Sequence, residues 1–239
     1  MARNFVSSNP DDLEFTGAII TALPLSISAW FKSTSTSAAQ DVANISDQGN
    51  DYWRIALISG NVRAQQLANG NTGFADSGAY SANTWHHALA TFTSNSRRDV
   101  YLDGAGTSNT TGVPLSTSGV NRTTLGKRHA VSQPFTGDMA EVAYWDVVLT
   151  ADEAAELAAG YSPLFVRPAS LVAYYPLVRG LNDHVGGNDL TATGTTVSEH
   201  VPIVMPAPPF IGQNIGVVAA TNPKGPLGMP LHGPFGGPI

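Results

Sequence analysis

A chain of 239 residues that is 42% hydrophobic and only 13% charged can build a sizeable core under a surface of Ser, Thr, Asn and Gly, a balance closer to a lectin-like or assembled structural protein than to a free cytosolic enzyme. The formal net charge of -6 and the lack of a basic run exclude a general attraction for nucleic acid. Without cysteine there is no disulfide, thiolate nucleophile or cysteine-ligated zinc, no stretch approaches the ~20 apolar residues of a membrane span, and the opening MARNFVSSNPDDLEF lacks the apolar core of a secretory signal.

Along the chain, residues 1–147 read as strands and turns. LSISAWFK alternates, with Leu25, Ile27, Ala29 and Phe31 on one face and Ser26, Ser28 and Trp30 on the other, which is the strand period. VANISD and DYWRIALISGNVRAQQLANG follow, the second a hairpin turning at Ser59-Gly60-Asn61. TWHHALATFT is another apolar strand, with His86 and His87 facing opposite ways, one in the core and one at the surface. RRDVYLDG is closed by Asp103-Gly104; then come a loop rich in Thr, Asn and Gly, RTTLGKR, and the long strand of FTGDMAEVAYWDVVL. TADEAAELAAG is the one helix, with Thr150 as N-cap, Glu153 at capping-box spacing and Gly160 as the stop. SLVAYYPLVRG and NDLTATGTTV read as two further strands.

The composition changes near residue 200. Residues 201–239 hold nine prolines and seven glycines, with Lys224 the one formal charge. Near the end a proline recurs every fourth residue and is followed each time by an apolar side chain: Pro226-Leu227, Pro230-Leu231, Pro234-Phe235 and Pro238-Ile239. Proline forbids a helix here, and its fixed φ lowers the entropy lost on docking. Two regions are therefore expected: a β domain over 1–200 and an extended Pro/Gly-rich arm over 201–239. Leu227, Met229, Leu231, Phe235 and Ile239 are the arm's partner-binding anchors.

The order LSISAWFK, WHHALATF, VYLDG, TLG and FTGDMAEVAYWDVVLTADEAAEL resembles the laminin-G-like and pentraxin-like group of concanavalin A-type jelly rolls, over residues 13 to 160. The resemblance implies an all-β sandwich of two antiparallel sheets with one short helix. Members bind sugars or proteins, and several use calcium. SLVAYYPLVRGLNDHVGGNDLTATGTTV is similar to the segment that often opens such domains, here placed last. That order, with a Pro-rich end, resembles proteins of tailed bacteriophage virions.

The glucan hydrolases of the fold carry a Glu-x-Asp-x-x-Glu strand; Asp138 and Glu141 have the wrong spacing, and period two puts them on opposite faces. Asp152, Glu153 and Glu156 support the helix. No enzyme activity is expected. Where pentraxins place acidic calcium ligands this chain has Lys127-Arg128-His129, so a cofactor is not expected. The remaining calcium candidate is Asp47, Asn50 and Asp51 in SDQGND, with Asp183, Asn188 and Asp189 open to the same reading; ordinary turn formation is favoured for both. For a glycan the candidates near loops are Tyr52, Trp53, Phe74 and Tyr80, with Trp53 and Tyr80 taken as the site, while Trp30, Trp85 and Trp145 lie in core-like patterns. The resulting expectation is a non-enzymatic virion structural protein, a phage capsid decoration or cement protein. It is fastened through the arm to capsid or other virion proteins or to sister subunits, as a homo-oligomer or part of a larger assembly. The alternative is a carbohydrate-binding adhesin.

Overall fold

A computed structural model describes residues 2–8, 11–47, 51–113, 116–128 and 133–203. The chain divides after Met205, and the first unit holds every element described below. The strands are β1 (Ala2–Phe5), β2 (Asp12–Phe15), β3 (Leu25–Ser33), β4 (Gln40–Ser46), β5 (Tyr52–Ile58), β6 (Asn61–Ala68), β7 (Asn71–Ala79), β8 (His86–Ser94), β9 (Arg97–Leu102), β10 (Ala105–Asn109), β11 (Arg122–Leu125), β12 (Gly137–Trp145), β13 (Leu171–Tyr175), β14 (Thr191–Thr193) and β15 (Thr196–Ser198). They form two antiparallel sheets packed face to face, a jelly-roll sandwich. The first runs β10-β9-β8-β3-β12-β1-β15, with β13 also paired to β12; the second runs β14-β2-β11-β4-β5-β6-β7.

Alternation puts the core between the sheets. Leu25, Ile27, Ala29 and Phe31 of β3 meet Trp53, Ile55 and Leu57 of β5, Ala88, Ala90 and Phe92 of β8 and Met139, Val142 and Tyr144 of β12, all buried. Hairpins turn where residues tolerate positive φ: Ser59-Gly60, Asn69-Gly70 and Asp103-Gly104 all lie there. The helix α1 (Ala151–Ala158) has the expected capping box, Thr150 and Glu153 each satisfying the other's backbone amide. Its Ala154 and Leu157 pack with Leu89, Ala143 and Trp145 on the outer face of the first sheet.

Three expectations change. The segment after Asp103-Gly104 is strand β10, paired with β9 from Ala105 to Asn109, because the tight turn returns the chain in register. NDLTATGTTV is two strands on different sheets: β14 joins β2 and β15 joins β1, with Gly194 at φ 78° between them. Asp138 and Glu141 do not face opposite ways. A bulge lies between Ala140 and Ala143, and Glu141 itself has φ 54°. Met139 and Val142 therefore both point into the core, and Asp138, Ala140 and Glu141 share the outer face. The bulge lies where β12 changes neighbours, from β1 at Gly137–Met139 to β13 at Val142–Trp145.

Candidate functional site

The residues singled out for ligands occupy structural positions. Asp47 Oδ1 accepts the Asp51 amide at 2.9 Å; Asp51 Oδ1 accepts the Asn69 amide at 2.7 Å and Oδ2 the Ser118 amide at 2.9 Å. Asp51 is a buried clip between two loops; Asn50 lies outside the described residues. Asp183 likewise accepts the amides of Tyr174, Val185 and Asn188, and these bonds hold its carboxyl below its usual range although burial acts the other way. No group of three or more His, Asp or Glu among the described residues is arranged to hold a metal.

Trp53 and Tyr80 cannot offer a ring face to a sugar, which corrects the expectation. Trp53 is 1% exposed and shares the inward parity of Ile55 and Leu57; Tyr80 is 5% exposed, packs edge-on against Phe31 and donates its hydroxyl to the Ser35 carbonyl at 2.6 Å. Tyr52 is also buried, with the guanidiniums of Arg54 and Arg128 over its ring. Phe74 is exposed under Arg63, 3.8 Å from its centroid. The anchors Leu227, Met229, Leu231, Phe235 and Ile239 lie outside the described residues.

On the outer face of the second sheet, β4, β5 and β6 carry a polar layer. Buried Asp41 pairs with Arg54 Nη1, which also donates to Gln133 Oε1 at 2.7 Å, while Arg54 Nε donates to Gln65 Oε1 at 2.9 Å. Asn44 Nδ2 donates to the Lys127 carbonyl at 3.2 Å, and Lys127 Nζ is 3.0 Å from Asp12. Residues on both sides of 129–132 are thus tied across this face.

The outer face of the first sheet is different. Glu141, buried at the bulge, accepts the Tyr174 hydroxyl and lies 3.0 Å from His200 Nε2; His200 Nδ1 is 2.6 Å from the Val201 carbonyl. Both imidazole nitrogens face acceptors, and burial, which would lower the ring's pKa, is outweighed by Glu141 and the Val201 carbonyl, so that pKa is raised. These side chains border a cavity of about 330 Å³ completed by Leu164, Pro176, Val178, His184 and Ile203. Leu164 and Val178 are 39% and 44% exposed, and so are two chain neighbours of the rim, Phe165 at 53% and Val185 at 43%. Val201 is buried with Ala2 and Ala140, against which Trp30, Trp85 and Ile203 also pack. The described chain ends on this face. Sequence reasoning missed the cluster because its members come from four separate segments joined by an unforeseen bulge. Asp138 is engaged elsewhere, by Asn4 at 2.8 Å and Lys32 at 2.9 Å, so no pair of free carboxylates faces a cleft here.

Two antiparallel sheets with loop-tied polar and apolar outer faces define a jelly-roll domain of the lectin-like type. Residues 7–155 match the model of the concanavalin A-like lectin/glucanases superfamily, a laminin-G-like family, and the chain belongs to that family. No curated protein matches the sequence. Among solved structures, a heptameric SAP-like pentraxin from Limulus polyphemus superposes with a TM-score of 0.61 at 12% identity, over 83% of this chain and 94% of that one. A Bacteroides ovatus protein named as a candidate carbohydrate binding protein gives 0.58 at 19%, over 85% and 61%. The tailspike protein 2 enzymatically active domain of bacteriophage CBA120 gives 0.55 at 14%, over 74% and 30%. At these identities the likeness is one of fold.

Proposed function

We propose that this protein is a non-catalytic structural component of a virion, a lectin-fold body fastened to sister copies of itself within the particle. The observation that carries this is the exposed apolar surface around the Glu141–His200 cavity, on the face where the chain leads into its Pro/Gly-rich end. Soluble domains rarely expose contiguous large apolar side chains unless a partner covers them, and interfaces between like subunits are the more apolar kind. The anchors Leu227, Met229, Leu231, Phe235 and Ile239 supply a second adhesive element. Each apolar side chain fully buried contributes about 1.5–3 kcal/mol before ordering costs. A full-length triple variant, Leu164→Ser, Phe165→Ser and Val178→Ser, is expected to keep its fold and to lose subunits, measured by light scattering after gel filtration. An unchanged oligomer in the triple variant would remove the face from the account.

A second reading is a carbohydrate-binding adhesin, on or off a particle. Besides family membership, an uncharged cavity of about 280 Å³ lined by Thr21, Ala22, Leu23, Trp53, Ser116 and Thr117 favours it. The two readings use different residues and are separable by experiment.

A further inference from the structure

The cavity beside Glu141 and His200 is walled by Leu164, Pro176, Val178 and Ile203, with the rings of Tyr174 and His184 set edge to face, their centroids 5.8 Å apart. Its buried polar groups are already engaged with one another. The Tyr174 hydroxyl donates to Glu141, and His200 faces Glu141 and the Val201 carbonyl. A fitting occupant is therefore apolar and brings few amide donors, since a buried N–H without an acceptor is costly. At about 330 Å³ the cavity stands at the small end of ligand pockets, and it suits one or two side chains.

Two observations name the occupant. The first is composition. Over residues 225–239 each of four prolines precedes a large apolar residue, and there is no Asp, Glu, Lys or Arg. Proline has no N–H to strand, and its fixed φ lowers the entropy lost on docking, which is how extended Pro-rich segments come to be held in apolar grooves. The second is where the described chain leads out. Val201 is buried and Ile203 lines the cavity wall, so the exit lies at the rim. Pro202, Pro206, Pro208 and Pro209 crowd that exit, a composition that favours extended backbone and opposes a tight return to the same mouth. The 23 residues from Val204 to Pro226 can span up to roughly 70 Å as extended Pro-rich chain, enough to reach a neighbouring domain.

We propose that this cavity takes one Pro–apolar pair of residues 226–239 from a second copy of the chain. The apolar side chain meets Leu164, Val178 and Ile203, and the proline closes the mouth without leaving an amide unpaired. Exchange of an identical element between copies is a low-cost route to assembly. The inference rests on the first reading above, a body fastened to sister copies, and names the segment and the socket that fasten it.

The test uses the full-length chain with a photoreactive residue at the rim, Phe165→p-benzoylphenylalanine and, in a second preparation, Val178→p-benzoylphenylalanine, both exposed positions. After irradiation, chains joined in pairs are separated from single chains by mass and digested with trypsin, which releases residues 225–239 as one peptide after Lys224. The expected result is joined pairs in which the label is attached to that peptide. An excess of synthetic GPLGMPLHGPFGGPI suppresses the joining, and the same peptide with Leu227→Ser, Leu231→Ser and Phe235→Ser needs at least about tenfold more to do so. Attachment to residues 225–239 within single chains alone assigns the cavity to the chain's own segment and overturns the proposal. Attachment to another part of the second copy also overturns it, while the sister-copy reading stands. No attachment from either position, in a chain that light scattering shows to be oligomeric, removes the socket and leaves that reading; a chain monomeric at every concentration removes both. Equal potency of the two peptides contradicts the role of the apolar anchors.

Discussion

Replacing Asp41 by alanine is expected to destabilise the domain by about 3–5 kcal/mol in urea unfolding, because it leaves the Arg54 guanidinium buried without its counter-charge. Asp41 is 0% exposed and Arg54 4%, so water cannot take over the lost partner. The converse change is predicted to be milder. In Arg54→Met the stranded group is Asp41, whose carboxyl already has a raised pKa because burial outweighs the neighbouring Arg54 and Arg128, and a carboxyl can take up a proton where a guanidinium cannot shed one. The double change to Leu and Met is expected to recover most of the loss, as apolar replacements of buried ion pairs often do. An Asp41→Ala variant within about 1 kcal/mol of the parent would show that the pair is not the fastening of this face.

The second large effect is a stability maximum near pH 6.5. His87 is fully buried on the outer face of the first sheet; burial, against a smaller opposing effect of Asp103, lowers its pKa to about 3. In the unfolded chain it takes a proton near pH 6.5. Between these values the unfolded state binds more protons, so stability falls as pH falls, by roughly 2 kcal/mol from pH 6.5 to 4.5. His200 acts in the opposite sense. Its folded pKa is raised, so its contribution is complete below the unfolded value and is lost as pH rises through the folded one. Thermal unfolding across pH 4.5 to 9 should show both limbs, and His200→Gln should flatten the alkaline limb alone. A flat profile from 4.5 to 6.5 would mean that His87 reaches water.

Most of the sandwich is written in local pattern. The parity of Leu25, Ile27, Ala29 and Phe31, the positive-φ pairs at Ser59-Gly60 and Asp103-Gly104 and the Thr150–Glu153 box each state a backbone preference, and each is met. The split at Gly194 and the bulge at Glu141 are less legible. Both depend on which strand lies alongside, β2 or β1 in one case and β1 or β13 in the other, and a single segment does not carry that. The glycan candidates failed for a readable reason. Trp53 stands one residue into β5, near a loop, yet Trp53, Ile55 and Leu57 alternate, and that parity places its ring inside. The apolar face was not legible, since it is assembled from residues far apart in the chain.

Where the arm begins decides how the central claim is tested. His200 is bonded to Glu141 and Val201 is buried, so a cut at Glu199 would remove part of the domain, whereas the first unit runs to Met205. The most direct measurement is the solution mass of the full chain beside a chain ending at Met205, by light scattering after gel filtration, with circular dichroism to confirm the β fold of both. The account predicts an oligomer for the full chain and fewer subunits for the shorter one, both folded. A full chain that is monomeric at every concentration, or a shorter chain that assembles as well as the full one, would contradict it.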